Sequence, residues 1–406
     1  MSDPTPLLFG LYEQASVGCG GAPSLWTHPA DERLGINTLK FWSNQARIAE
    51  QANLDLFFFA DVLGFYDVHG GNHDAALKWA VEAPANDPLL HIPALAALTE
   101  HLAFGATVST TYEHPFTHAR RFSTLDHLTD GRIGWNIVTS YLTSAARNFG
   151  LDRMIRHDDR YERAEEFMDV VYKLWEGSWE DDAAIRDVAR GIFTDPSKVH
   201  RVQHEGANYR LNAIHLSEPS PQRTPVLYQA GTSPRGRQFA AEHAECVFMS
   251  GPSAKVIGPR VSAIRELAAA KGRNAAEILM FSMMCIVVAP TEAEAKAKYA
   301  EYRSHISHEG ALALMSGWTG VDFSTYSLDQ EVRHVQNDAG RSAMDNVTRA
   351  DPDRVWTVRE VAEHVGIGGA GPVVVGTPEQ VTDKIEQWFE RSEERRVGKE
   401  CRSRWS

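Results

Sequence analysis

Apolar runs of strand length alternate along this chain with longer segments of helical period, and that alternation limits the possible folds more than any single residue does. The strand-like runs are Leu7 to Tyr12, Leu54 to Phe59, Leu102 to Thr107, Ile133 to Val138, Pro225 to Gln229, Cys246 to Met249 and Ile278 to Val288. Most are continuous in Val, Ile, Leu and Phe, as strands covered on both faces are, so a parallel sheet wrapped by helices is expected. A barrel or a doubly wound sheet satisfies the pattern. Helical stretches fall between the runs: Leu39 to Gln51, His118 to Leu128, Asp159 to Glu176, Arg235 to His243, Ala254 to Lys271 and Thr291 to His305. Asn37-Thr38 offers caps to the first. Thr377-Pro378-Glu379-Gln380 has capping-box spacing with proline at the first helical position, opening a helix to about Phe389.

Composition narrows the function classes. Hydrophobic residues at 43% and charged residues at 23% suit a globular chain with a sizeable core. The net charge of −13 argues against a nucleic-acid partner, which needs a concentrated basic face. No apolar run approaches the ~20 residues of a bilayer span, and Met-Ser-Asp-Pro-Thr lacks the regions of a signal peptide, so a soluble cytoplasmic protein is expected. Cys19, Cys246, Cys285 and Cys401 are far apart and form no Cys-x-x-Cys pair, which reads as reduced thiols. No His-Glu-x-x-His is present and the other histidines lack ligand spacing, so no metal is expected. A serine hydrolase is disfavoured by the missing Gly-x-Ser-x-Gly elbow.

Three connections are too long for simple turns: Asp61 to Leu90, Thr139 to Asp158 together with Gly177 to Ser220, and His305 to Val355. Long ordered connections are more often lids and binding loops than spacers. Polar residues stand where strands stop: Asp61 after the second, Thr107 at the end of the third, Asn136 within Gly134 to Ser140 of the fourth. They either converge on one ligand or cap the following helices, and the residues alone leave both open. Gln229 to Arg237 is a Gly/Ser/Thr turn entering a helix, where free N–H groups, the hydroxyl of Ser233 and Arg235 or Arg237 make a phosphate cradle. It is neither a Walker sequence nor a dinucleotide Gly-x-Gly-x-x-Gly. His157 and Tyr161 lie four apart, on one face at the start of a helix; they either grip a planar anionic ligand or serve as a helix-start His and a Tyr packed on the barrel, and the residues alone leave both open.

Together, Phe58 to Asp61, Gly105 to Thr107 with Tyr112 to Pro115, Arg120 to Asp126, Gly134 to Ser140, His157 to Tyr161 and Gln229 to Gly236 resemble the bacterial luciferase-like flavin-dependent monooxygenases. The nearest branch is that of the nitrilotriacetate, EDTA and dibenzothiophene-sulfone monooxygenases, and the resemblance runs from about residue 7 to about 389. It implies a TIM-like (β/α)8 barrel with long insertions, binding FMN as FMNH2 at the carboxyl ends of its strands. By position in the motifs, the flavin contacts are Asp61, Thr107, Asn136, His157, Tyr161 and Ser233, with Phe59 flanking the ring or the substrate. The implied chemistry uses O2 as co-substrate and a flavin C4a-(hydro)peroxide, and inserts one oxygen atom into a small organic substrate. A separate NAD(P)H-dependent flavin reductase supplies the reduced flavin, and a homo-oligomer is common in the family. His28, in the loop after the first strand, is the candidate acid or base, with loop packing as the alternative role. Relatives often carry a further His earlier in that loop, where this chain reads Val17-Gly18-Cys19-Gly20-Gly21.

Two other readings are open: a deazaflavin-dependent hydride-transfer enzyme on the same barrel, and a non-catalytic flavin-binding barrel. In the family the helix ending near Phe389 leads into an Asp-Gly-Phe strand that closes the barrel, then a helix. Here residues 391–406 carry six basic and three acidic residues and no such strand. The expectation is a barrel over 1–390 lacking its last strand and helix, followed by a non-native basic tail.

Overall fold

The computed structural model describes residues 7–19, 21–231, 233–333, 341–348, 353–369 and 371–392. Along them run β1 (Gly10–Gln14), β2 (Leu56–Ala60), β3 (Ala103–Ser109), β4 (Ile133–Val138), β5 (Ala184–Asp187), β6 (Ile192–Thr194), β7 (Val202–Glu205), β8 (Arg210–Ala213), β9 (Val226–Gln229), β10 (Cys246–Met249), β11 (Leu279–Ser282), β12 (Cys285–Val288) and β13 (Val373–Gly376). One sheet takes the order β1-β2-β3-β4-β9-β10-β11. Every neighbouring pair in it is parallel, with Leu56 opposite Gly10 and Asn136 opposite Thr107. Helices follow the strands, which makes this a curled parallel α/β barrel wall.

The period of two decides what each wall residue faces. Phe57, Phe59, Phe104, Ala106, Trp135, Ile137 and Leu227 pack outward against helices such as Leu39–Gln51, Pro115–Leu128 and His157–Gly177. Leu56, Phe58, Ala103, Val226, Tyr228, Cys246 and Leu279 form the inner cluster. Aromatic rings crowd there, Phe58 and Phe248 with centroids 4.3 Å apart. Gly105 and Gly134 make room: a Cβ would sit 2.8 Å from the Phe58 ring at Gly105 and 2.4 Å from the Tyr228 ring at Gly134.

Local signals set the helix ends. Thr38 accepts the N–H of Phe41 at 3.3 Å, and the helix Leu39–Gln51 has its expected bounds. The Thr377 amide donates to Gln380 Oε1 at 3.0 Å and the Gln380 amide to Thr377 Oγ1 at 3.4 Å, so the capping box opens the helix Pro378–Ser392.

The run Ile278 to Val288, expected as one strand, is broken at Met283-Met284. β11 stays in the large sheet, whereas β12 turns away to pair with β13 in a separate two-stranded sheet. The wall is left open between β1 and β11, since among the described residues neither has a second neighbour. An apolar cavity of about 390 Å³ lies at this seam, lined by Leu8, Tyr12, Phe248, Phe281 and Trp388 among others. Residues 393–406, nearly all of the expected basic tail, lie outside the described residues.

The stretch from Gly177 to Ser220 folds into two hairpins, β5–β6 and β7–β8. Glu166 pins the second by accepting the amides of Asn208 and Tyr209, both at 2.8 Å. The other long connections meet over the barrel's carboxyl rim in a core of their own. It gathers Tyr66, Ala76 and Val81, then Leu142 and Ala145, then Leu314, Phe323, Trp356 and Val361. We call this part the cap. No helix among the described residues is long and apolar enough to cross a membrane.

Candidate active site

A cavity of about 300 Å³ opens at the carboxyl ends of β2, β4 and β9, beneath the cap. Asp61, His157, Tyr161 and Ser233 line it together, with Arg160 and Gln229. Asp61 also lines an adjoining hollow of about 210 Å³ with Thr107 and Ser109. Asn136 lies just below, its Nδ2 donating to Thr107 Oγ1 at 2.9 Å. Asp61, His157, Tyr161 and Ser233 therefore meet at one cavity, while Thr107 lines the adjoining hollow and Asn136 lines neither.

Each is positioned by its element. His157 and Tyr161 share one face of the first turn of the helix His157–Gly177, ring centroids 5.3 Å apart. His157 Nδ1 is 2.6 Å from Asp158 Oδ1, and Nε2 is 3.4 Å from Ser233 Oγ. Ser233 caps the helix Pro234–His243, accepting the Gly236 amide at 3.1 Å with proline next in the chain. The turn closes tightly on the Tyr161 phenol: a Cβ on Gly231 would lie 2.5 Å from Tyr161 Oη, and one on Gly236 2.8 Å from it.

Burial governs the electrostatics. It pushes the Asp61 carboxyl up to about 7, helped by the charges of Asp87 and Glu82 and opposed by the Val62 amide. Both protonation states of Asp61 are then populated near neutral pH, so it can donate or accept a hydrogen bond. Burial also raises the Tyr161 phenol, against Arg160, Ser233, Arg235 and Gln229. That keeps it a neutral donor.

Three expectations change. Phe59 is fully buried on the helix side of the wall, stacked 4.7 Å from Phe57 and against Trp42. It has the parity of Phe57, so it faces away from the barrel interior and does not line the cavity. Arg235 donates to Glu165 Oε1 at 2.9 Å and lies over the Tyr161 ring, which turns it from the cradle toward the neighbouring helix. His28 packs beside the helix Glu292–Ser304, its Nε2 3.2 Å from Glu301 Oε1 and its ring beside Tyr302 and His305, and lines neither hollow. The cavity instead holds Tyr141, three residues past the end of β4, which the sequence reading does not single out although the strand-end rule points at that loop.

The site fits a ligand with both acceptors and donors. Gln229 Oε1, on a cavity residue, and Asn136 Oδ1 are buried acceptors with no partner among the described residues. The start of the helix Pro234–His243 offers the opposite character through the Ser233 hydroxyl and the positive end of the helix, although Pro234 has no N–H and Ser233 itself accepts those of Gly236 and Arg237. A barrel that gathers such groups at its carboxyl rim belongs to the class that binds phosphate-bearing cofactors there.

The family model for luciferase-like monooxygenases matches residues 21–393. The chain belongs to that family, has its TIM-barrel fold and is a flavin-dependent monooxygenase. It is 46% identical over 365 residues to the dimethyl-sulfide monooxygenase of Hyphomicrobium sulfonivorans, a match covering 90% of this chain and 76% of the relative. With the long-chain alkane monooxygenase of Geobacillus thermodenitrificans it shares 45% identity over 93% of this chain and 82% of that one. Among solved structures, a riboflavin lyase with modified FMN and riboflavin superimposes with a TM-score of 0.87 at 40% identity, covering 95% of this chain and 85% of the other.

Proposed function

We propose that this chain is the oxygenase of a two-component system. A separate NAD(P)H-dependent reductase delivers reduced FMN to the rim cavity, and one atom of O2 passes into a small organic substrate. The observation that carries this reading is the convergence of Asp61, His157, Tyr161 and Ser233 on one cavity with a helix start at its edge. Ser233, at the positive end of the helix Pro234–His243, would hold the phosphate. Tyr161, Thr107 and Asn136 address the ribityl chain and the ring edge. Asp61 serves as donor or acceptor to the ring, and His157 is held in orientation by Asp158. When bound, the flavin supplies the activation of O2. The protein's part is to hold it, to order the substrate and to keep water out, for which the cap and Trp318 stand over the cavity.

Val62, Leu63, Leu142, Ala145 and Trp318 make much of the lining apolar. That favours a weakly polar substrate of the kind named for two relatives, dimethyl sulfide and long-chain alkanes, over an aminopolycarboxylate. Turnover with FMNH2 and labelled O2 against such a panel tests the reading. The expected result is one labelled oxygen atom in the product. Tight FMN binding without label in any product, or reduction supported by a deazaflavin without O2, overturns it.

A further inference from the structure

The cap contains a hydrogen-bonded polar chain to which the proposed function assigns no role. Glu82 is 5% exposed, and its Oε2 accepts the Tyr66 hydroxyl at 2.7 Å and Gln14 Nε2 at 3.2 Å. Tyr66 Oη lies 2.5 Å from Tyr141 Oη, and the Trp318 side chain bonds to Tyr141 in turn. Tyr141 and Trp318 line the rim cavity, whereas Glu82 and Tyr66 stand behind them. A phenol has one proton to give. Tyr66 gives its own to Glu82, so Tyr141 donates to Tyr66 and the indole N–H donates to Tyr141. Every donor along the line points from the cavity toward the carboxylate. A chain of that kind accepts one added proton by reversing its hydroxyls.

We propose that Glu82, Tyr66 and Tyr141 form a proton wire, with Glu82 as the buried store and the Tyr141 hydroxyl as its outlet onto the cavity. The inference rests on the oxygenase reading of that cavity and deepens it. In the loaded state Glu82 holds a proton on Oε2. One concerted shift along Glu82, Tyr66 and Tyr141 leaves Glu82 ionised and puts a proton on an acceptor beside Tyr141; the reverse shift reloads it. The balance substrate + O2 + FMNH− + H+ → oxygenated substrate + FMN + H2O consumes one such proton per turnover.

The surroundings are built to hold the wire. Glu82 and Ser140, the latter beside Tyr141, have left-handed backbones at φ 51° and 56°, where a non-glycine residue costs about 1 kcal/mol. A Cβ on Gly317 would lie 1.7 Å from the Tyr66 ring, so glycine lets the helix His308–Thr319 close on it. The polar and titratable groups acting on or affected by Glu82 are Gln14, Tyr12, Cys19, Asp61, Tyr66 and Tyr141. No Lys, Arg or His among the described residues offsets its charge. Burial therefore pushes the carboxyl up to about 7 against the bonds from Tyr66 and Gln14, and both of its states exist near neutral pH.

The test compares the wild type with Glu82→Gln, Tyr66→Phe and Tyr141→Phe. Infrared titration reads the store without turnover. A protonated-carboxyl signal that E82Q lacks should vanish as pH rises through neutrality, and in Y66F it should persist to higher pH because a donor to the carboxylate is gone. In turnover, kcat should fall about a hundredfold in Y66F and Y141F. KM and oxidised-FMN affinity should stay within about twofold of wild type, and the pH profile should lose its inflection near neutrality. Wild-type kcat and pH profile in Y66F and E82Q, or a Glu82 carboxyl ionised throughout, overturn the wire. If the wild type shows no O2-dependent turnover, the oxygenase reading fails instead, and the infrared shift in Y66F still decides the wire. Y66F removes a single oxygen atom, so it remains usable if E82Q does not fold.

Discussion

The barrel wall and the cap are built on different rules. In the wall, alternate residues of parallel strands separate an outer core from an inner one, and the largest side chains, Trp135, Phe104 and Phe57, are fully buried under helices. The cap has no sheet to impose a period. Its core comes from three distant stretches of chain, and buried polar groups run through it from Gln14 and Glu82 to Tyr141. The wall's packing carries stability, while the cap's contacts carry orientation at the cavity.

The largest effect that sharpens this contrast belongs to the wall. Trp135 touches His118 with ring centroids 4.0 Å apart and donates to the Val108 carbonyl at 3.0 Å. Trp135→Ala should lower stability by about 4 kcal/mol in denaturant titration and take flavin binding with it. A cap variant with as large a loss of flavin binding would break the comparison.

Next is the pH dependence of the cap. The Glu82 carboxyl is raised from 4.5 to about 7 in the folded chain. Between those values the folded state keeps a proton that the unfolded state has released. Its stabilising contribution is complete below pH 4.5 and is lost as pH rises through about 7. Relative to Glu82→Gln, the wild type should lose on the order of 3 kcal/mol across that window, measured by unfolding at several pH values. Equal slopes for both proteins would remove Glu82 from the account.

Gly317→Ala forces the Tyr66 ring aside. It should cost about 2 kcal/mol in stability while lowering turnover more than FMN affinity. The smallest effect is at the rim: Ser233→Ala removes a helix cap worth about 1 kcal/mol and, in the oxygenase reading, one phosphate contact. Fluorescence titration with oxidised FMN should show weaker binding with little change in kcat.

The sequence showed the wall and the rim more clearly than it showed the cap. Ile133 to Val138 and Cys246 to Met249 are strands with the expected bounds, because continuous apolar runs between turns have few other solutions. Asp61, His157, Tyr161 and Ser233 stood out because strand ends and helix starts have fixed positions. Phe59, beside Asp61 in sequence, nonetheless faces the helices, because the period of two gives Phe57 and Phe59 the same face. The helices Asp74–Trp79 and His308–Thr319 fall in stretches that the sequence marks only as long connections, since their short or all-round apolar patterns show no stripe. Glu82 left no signal at all. Its role depends on Tyr66 and Tyr141, which are 16 and 59 positions away in sequence, and no local spacing encodes that meeting.

The gap that the described residues leave between β1 and β11 has a mechanical consequence. A closed ring of strands shares deformation around its circumference, whereas a sheet with two free margins yields there first. Amide hydrogens along β1 and β11 should therefore exchange with deuterated solvent well before those of β3 and β4, which have neighbours on both sides. The cylinder would then loosen from one flank, with β3 and β4, on the side nearest Thr107 and Asn136, the last part of the wall to soften.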